Sequence, residues 1–133
     1  MMHVLIVEDD FVSRKLLHQM LSPYGECDIA VDGIEGVEAF KMALADGNPY
    51  DLVCLDIMMP RMDGQAALGQ IRQLEAQKGV LEMNAARVIM TTAVDDKKQV
   101  TQAFYRGGAA SYFVKPIDQD KLVAELRILG LIS

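Results

Sequence analysis

The chain has 133 residues, enough for about one globular domain, and 51% of them are hydrophobic, which excludes a disordered chain. No apolar stretch approaches the ~20 residues that span a bilayer, and the first strand-like run begins too early for a signal peptide. The net charge of −6 argues against direct nucleic-acid binding, which needs a basic face. We therefore expect a single domain over residues 1–133, in the cytoplasm and without membrane insertion.

Short apolar runs alternate with helical patterns in the first half of the chain. The helical patterns show apolar residues recurring at three- and four-residue intervals, whereas the strand-like runs are short and bounded by turn residues. The predicted elements are a strand at His3–Val7, a helix at Phe11–Leu21, a strand at Cys27–Val31 and a helix at Ile34–Ala45.

The second half repeats this alternation. It predicts a strand at Leu52–Asp56, a helix at Gly64–Gln77, a long loop at Lys78–Ala86, a strand at Arg87–Thr91, a helix at Lys97–Arg106 and a strand at Ser111–Val114. Asp118 is the predicted cap of a final helix whose apolar stripe comprises Leu122, Leu126 and Leu129. Five β–α units with right-handed crossovers indicate an α/β fold, a doubly wound (βα)5 flavodoxin-like sandwich with parallel strand order 2-1-3-4-5.

Two cysteines, Cys27 and Cys54, lie in strand-like runs. Neither belongs to a C-x-x-C motif or has a histidine close by in the sequence. We interpret both as reduced thiols of the core.

Polar side chains follow four of the predicted strands, at the point where each strand ends. Glu8, Asp9 and Asp10 follow the first strand, and Asp56 ends the third. The fourth strand ends at Thr91-Thr92 and the fifth at Lys115-Pro116. The carboxyl ends of parallel strands meet at one edge of a sheet, where open α/β folds bind ligands.

Carboxylates gathered at one edge repel one another unless a cation balances them. All-oxygen ligands favour Mg²⁺, with Mn²⁺ as the alternative, and Lys115 would supply a further positive charge. An aspartate can attack phosphorus and become an aspartyl phosphate. The pattern therefore predicts a magnesium-dependent phosphoryl-acceptor site around Glu8, Asp9 and Asp56.

Two choices at this site stay open. The metal pair is Glu8 with Asp9 or Asp9 with Asp10, and we favour the first pair because it directly follows the strand. The hydroxyl at the fourth strand comes from Thr91 or Thr92, and we favour Thr92 because the small Ala93 follows it. Asp63 is predicted to cap the third helix.

These motifs together resemble the receiver domain of two-component response regulators, in size the single-domain chemotaxis type. The motifs, in order, are Val4-Leu5-Ile6-Val7-Glu8-Asp9-Asp10, Asp56-Ile57-Met58-Met59-Pro60-Arg61-Met62-Asp63-Gly64, Thr92-Ala93 and Tyr112-Phe113-Val114-Lys115-Pro116. The resemblance implies that Asp56 is the phosphoacceptor and that Lys115 contacts the phosphate. It implies that Asp9 binds the metal directly, Glu8 through water, and Met58 through its backbone carbonyl. It also implies a cis bond between Lys115 and Pro116.

The same resemblance implies a signalling function rather than an enzyme beyond self-phosphorylation and self-dephosphorylation. A histidine kinase or phosphotransfer protein would donate the phosphoryl group. Thr92 and Tyr112 would then switch the face formed by the fourth helix, fifth strand and last helix, which a downstream protein would read. Met58 and Val94 are apolar at positions that line the water path in the family, which predicts slow self-hydrolysis.

Two alternatives to this function remain. The chain would be the receiver part of a larger regulator or hybrid kinase, in which case the output depends on the rest of that protein. In a different class, it would be a phosphohydrolase with an aspartate nucleophile, although Met58 stands where such an enzyme would want an acid/base aspartate.

Overall fold

The five apolar runs of the sequence form one parallel sheet. A computed structural model describes residues 1–93, 98, 101–102 and 107–133. Its strands lie in the order β2-β1-β3-β4-β5, which confirms the predicted order of the doubly wound fold. The strands are β1 at Met2–Val7, β2 at Gly25–Ala30, β3 at Leu52–Asp56, β4 at Arg87–Thr92 and β5 at Ser111–Val114.

Four helices flank the sheet among the described residues, and each begins after an aspartate. They are α1 at Phe11–Leu21, α2 at Gly33–Ala45, α3 at Gly64–Gln77 and the C-terminal helix at Gln119–Ile128. The capping carboxylates each accept a hydrogen bond from the backbone N–H three residues on, and they belong to Asp10, Asp32, Asp63 and Asp118. The predicted caps Asp63 and Asp118 are therefore confirmed.

The sheet separates two apolar layers because successive strand residues point to opposite faces. On one face, β-strand residues such as Leu5 and Val53 pack with Phe40 of α2 and Ile71 of α3. On the other face, residues including Ile6, Cys54 and Ile89 pack with Leu17 of α1 and with Leu122 and Leu126 of the C-terminal helix. Leu129, predicted on the same stripe, is partly buried there.

Several predicted bounds differ from the structure by one or two residues. β1 begins at Met2 rather than His3, β2 runs over Gly25–Ala30 rather than Cys27–Val31, α2 begins at Gly33, and β4 extends to Thr92. The early start of β2 comes from its register, in which Gly25 pairs with Met2 and Glu26 with His3. The long loop contains a short 3₁₀ turn at Glu82–Asn84. The predicted fourth helix, 97–106, lies largely outside the described residues.

Both cysteines are free, as predicted; Cys54 is buried and Cys27 is half-buried. Across the described parts of the chain, no helix has the length and apolar character needed to cross a membrane.

Candidate functional site

Three carboxylates converge where β1 and β3 end. Glu8 directly follows β1, Asp9 is the next residue, and Asp56 is the last residue of β3. Each offers one carboxylate oxygen, and these three atoms lie within 4.8 Å of one another. The parallel pairing of β1 with β3 brings the two strand ends together, with Val7 level with Leu55. Glu8 and Asp56 are buried, whereas Asp9 is exposed.

Lys115 brings a positive charge to the same place. Its Nζ lies 3.2 Å from Oδ2 of Asp56, to which it donates a hydrogen bond, and 2.5 Å from Oε1 of Glu8. The contact to Glu8 is an ion pair with a fully buried carboxylate. One ammonium against three carboxylates leaves two formal negative charges, which a single divalent cation would balance. The Lys115–Pro116 peptide bond is cis, as the resemblance implied.

The site shifts the pKa of both titrating partners. Burial, and after it the hydrogen bond and charge of Glu8, raise the pKa of Asp56 to about 7 against the opposing effect of Lys115. Burial alone would lower the pKa of Lys115, but Glu8 and Asp56 outweigh it and hold that pKa above its usual value. The ammonium is therefore fully charged, while Asp56 needs a further cation to be fully ionised at neutral pH.

Asp10, the alternative to Glu8 in the predicted metal-binding pair, has a different structural role. Its carboxylate accepts a hydrogen bond from Ser13 N at 2.9 Å and so caps α1. That bond holds the pKa of Asp10 below its usual range. Its backbone N–H donates to Oε2 of Glu8 at 3.1 Å. The structure therefore groups Glu8 and Asp9 with Asp56, and it places Asp10 at the helix start.

The segment after β3 wraps around Asp56. The Met58 N–H donates to Oδ1 of Asp56 at 3.3 Å, and the Met58 side chain is exposed. The start of α3 comes so close that a side chain at Gly64 would strike the backbone of Asp56. Gly64 N donates to the Ile57 carbonyl at 2.8 Å. Because Gly64 has no side chain, α3 can begin in close contact with the backbone of Asp56.

The two threonines that end β4 are both buried. Thr91 is level with Asp56 in the strand register, and its hydroxyl has no hydrogen-bond partner among the described residues. Thr92 lies one residue nearer the carboxyl edge, and its carbonyl accepts a hydrogen bond from Lys115 N at 2.8 Å. Tyr112 lies in β5 with its side chain about one-third exposed. Val94 lies outside the described residues.

Sequence reasoning missed two arginines that hold this edge of the sheet. Arg61 Nε donates to Oδ2 of Asp32 at 2.7 Å, which ties the segment after β3 to the start of α2. Arg61 has a positive φ of 65°, a backbone conformation that a sequence pattern without glycine does not predict. Arg14 donates to the backbone carbonyl of Glu8 at 3.0 Å. The motif run 56–64 contains Arg61, but nothing in it points to Asp32.

Comparison with known proteins identifies the family of this chain. The response regulator receiver domain model matches residues 4–127. The chain is 38% identical over 125 residues to the chemotaxis protein CheY of Treponema pallidum, covering 92% of this chain and 78% of that protein. It is 34% identical over 122 residues to CheY of Bacillus subtilis, covering 90% of each.

A solved structure agrees in both fold and sequence. The chain resembles CheY in a CheX–CheY–BeF3–Mg complex from Borrelia burgdorferi, with a TM-score of 0.81, 32% identity, and coverage of 97% of this chain and 89% of that one. Other relatives are much longer, and the chain spans only 20% of the transcription factor SKN7 of Candida albicans and 12% of a probable histidine kinase of rice. What all these matches share is one module, so this chain belongs to the response regulator receiver domains, the CheY-like modules of phosphorelay signalling.

Proposed function

We propose that Asp56 is the residue that accepts the phosphoryl group. The observation that carries this proposal is the contact of Asp56 with Lys115, whose Nζ lies 3.2 Å from its carboxylate. Phosphoryl transfer asks the protein mainly to position the reacting groups and to neutralise charge. Asp56 supplies the nucleophilic oxygen, and Lys115 is placed to bind an oxygen of the incoming group. The bond from phosphorus to its donor breaks as the bond to the Asp56 oxygen forms.

The proposal includes a divalent cation at Glu8, Asp9 and Asp56. Their oxygens suit Mg²⁺ or Mn²⁺, which prefer carboxylate and carbonyl ligands, and the Met58 carbonyl would be a further ligand. The two uncompensated negative charges support a divalent rather than a monovalent ion. When bound, such an ion neutralises charge on the transferring phosphoryl group. Asp9 would bind it directly, and the buried Glu8 would act through water.

Thr92 and Tyr112 form the proposed switch. Phosphorylation adds roughly one and a half to two negative charges, by analogy with hydroxyl phosphates. The Thr92 hydroxyl is then drawn toward the phosphoryl group, and Tyr112 turns toward the space it leaves. The Thr92 carbonyl accepts a hydrogen bond from Lys115 N at 2.8 Å, which places Thr92 next to the phosphate-binding lysine of this proposal. Phosphorylation changes the populations of the two conformations only by as much as it stabilises one relative to the other.

The partners follow from this chemistry. A histidine kinase or phosphotransfer protein would donate the phosphoryl group, and a downstream protein would read the changed face. A cytoplasmic location belongs to the same proposal, supported by the two free cysteines, Cys27 and Cys54, which fit a reducing compartment. In a longer regulator or hybrid kinase the same module would pass its signal to other domains, as the long relatives suggest.

Incubation with acetyl phosphate and Mg²⁺, followed by intact mass measurement, tests the proposal. The wild-type chain should gain one phosphoryl group, and Asp56→Asn should gain none. Asp63→Asn is a matched control, because asparagine caps a helix as well as aspartate does. A phosphoryl gain that survives in Asp56→Asn would contradict the assignment.

The same mixture separates a signalling module from a phosphohydrolase. A receiver consumes little more than one acetyl phosphate per chain during the slow life of its aspartyl phosphate. A phosphohydrolase releases many phosphates per chain in that time. Slow loss is expected here because Met58 presents an apolar side chain beside the site, and Met58→Asp should speed it.

A further inference from the structure

A second group of side chains of metal-ligating types lies at the opposite edge of the sheet from Asp56. His3 is near the start of β1, and Glu26 and Asp28 are in β2. One ligand atom from each lies within 4.8 Å of the other two. Together with Asp46 and Asn48 they line a cavity of about 340 Å³. The group contains an imidazole, so it differs chemically from the all-carboxylate site.

The imidazole of His3 is held by a backbone carbonyl and by an aromatic ring. Its Nδ1 lies 3.0 Å from the carbonyl oxygen of Asn48, which can only accept, so Nδ1 carries a hydrogen. Its ring stacks on Tyr50 with 4.2 Å between ring centroids. The His3 side chain is only 12% exposed. These contacts leave Nε2 as the nitrogen available for a ligand.

Nε2 of His3 points at a carboxylate that is already held in place. It lies 3.0 Å from Oδ2 of Asp28, and the same oxygen accepts a hydrogen bond from the Tyr50 hydroxyl at 2.7 Å. A neutral imidazole would turn its Nε2 lone pair toward a carboxylate. Something positive must lie between them, either a proton on Nε2 or a metal ion.

We propose that His3, Glu26 and Asp28 form a site for a divalent transition-metal ion of the zinc class. Imidazole with carboxylates suits Zn²⁺ and not Mg²⁺. Neighbouring ligand atoms around tetrahedral zinc lie about 3.3 Å apart, close to the Nε2–Oδ2 distance. Two carboxylates and a neutral imidazole balance the charge of the ion, and water completes its coordination.

The outer contacts match what a metal site needs. A metal-binding histidine usually donates its other ring N–H to a carbonyl, as His3 does to Asn48, and a ligating carboxylate is usually hydrogen-bonded, as Asp28 is by Tyr50. Metal binding would release to solvent any proton that Nε2 carries. Because the ligands join β1 to β2, the ion would stabilise the fold without touching Asp56.

Zinc uptake by the full chain tests this proposal. Calorimetry with Zn²⁺, in the presence of excess Mg²⁺, should show one ion per chain in the wild type. Asp9→Asn, which alters the other acidic group, should bind zinc equally well. Tyr50→Phe should weaken binding about tenfold, as losing an outer contact does, and His3→Gln should weaken it more. A Cys27→Ser variant that still binds zinc excludes the thiol as the ligand.

A second measurement guards against a variant that does not fold. Glu26 is exposed, so Glu26→Gln should leave the fold intact and still weaken zinc binding. Zinc should raise the unfolding temperature of the wild type and not of Glu26→Gln. If the wild type binds no zinc, or binds it only as tightly as His3→Gln and Glu26→Gln do, the proposal is overturned.

Discussion

At the scale of single residues, Asp56 makes stability depend on pH. Its pKa is raised to about 7 in the fold, first by burial and then by Glu8, whereas an aspartate in the unfolded chain titrates near ~4. Between these values the unfolded chain releases the proton and the folded chain keeps it. The metal-free fold therefore loses stability as the pH rises from about 4 to about 7.

The variant Asp56→Asn has no carboxyl group at this position, so it does not lose stability in this way as the pH rises. A rise of about three pKa units at ~1.4 kcal/mol each sets an upper limit of about 4 kcal/mol, which solvent screening reduces. The free energy of unfolding of the variant should therefore exceed that of the wild type by about 2–4 kcal/mol at pH 8, and by much less at pH 4. Urea unfolding in EDTA, followed by circular dichroism across this range, measures the difference. A difference that stays constant with pH would show that folding does not raise the pKa of Asp56.

Lys115→Met should separate two properties of the site. Removing the ammonium raises the negative charge around Glu8 and Asp56, so Mg²⁺ should bind at least about fivefold tighter, from ~1 kcal/mol of Coulomb energy. Phosphorylation by acetyl phosphate should nevertheless slow by about 100-fold, because a charge that stabilises the transition state is lost. Calorimetry and mass spectrometry measure the two effects.

Lys121→Met, at an exposed lysine of the C-terminal helix, is the control for Lys115→Met and should change neither property. A parallel fall in Mg²⁺ affinity and phosphorylation rate would show that Lys115 supports the cation instead of competing with it.

The residues of this site could be predicted because they lie at strand ends, and the strand ends could be read from the sequence. Glu8, Asp9, Asp56 and Lys115 each follow an apolar run, and parallel strands bring such positions to one edge. The pairing of Arg61 with Asp32 was not predictable, because it joins two loops by side chains 29 positions apart. No periodicity in the sequence encodes such a contact.

At the scale of elements, capping and burial explain which bounds the sequence predicts. α1, α3 and β3 have the predicted bounds, since an aspartate or a change to apolar residues marks their ends. β2 was placed two residues late because the exposed, charged Glu26 hides the beginning of the strand. The first residues of β2 are held by pairing with β1. A local sequence pattern does not contain this pairing, because β1 lies in a distant part of the chain.

Two glycines inside helices should respond to alanine in opposite ways. A Cβ at Gly36 of α2 would lie 2.9 Å from Cγ2 of Val7 in β1, whereas a Cβ at Gly69 of α3 would have nothing within 4 Å. Gly69→Ala should stabilise the fold by about 0.5–1 kcal/mol through helix propensity. Gly36→Ala should destabilise it by about 1–3 kcal/mol, because the β-branched Val7 must shift.

Thermal unfolding and urea titration of these two variants measure the difference. Each glycine serves as the other's control, since the chemical change and the type of element are the same. Equal effects at both positions would show that α2 can move away from β1 without cost, and that the close approach at Gly36 is not what holds the helix.

At the scale of the whole molecule, the sheet separates two charged edges. The carboxyl ends of the strands carry Asp9 and Asp56, and the amino ends carry His3. The sequence predicted the first edge because four of the five strands end there in chemically distinctive residues. It did not predict the second, because Glu26 and Asp28 lie inside a strand and meet His3 only through the register of β2 with β1.

Magnesium should stabilise the whole fold through the first edge. A ligand that binds only the folded chain adds about 2.7 kcal/mol at 100 times its dissociation constant, which corresponds to a rise of roughly 8–12 °C in Tm for a domain of this size. Asp9→Asn should abolish most of the rise. Asp10→Asn should keep it, because the Asp10 carboxylate caps α1 and asparagine can replace it there.

The pair of variants also decides which acidic residues serve the cation. Without Mg²⁺, Asp9→Asn should be more stable than the wild type, since it relieves repulsion with Glu8 and Asp56. The reverse pattern, in which Asp10→Asn loses the Mg²⁺-dependent rise and Asp9→Asn retains it, would move the metal ligand from Asp9 to Asp10. Because the ligand oxygens of Glu8, Asp9 and Asp56 are already within 4.8 Å of one another, such a move would require α1 to lose its cap before the cation could bind.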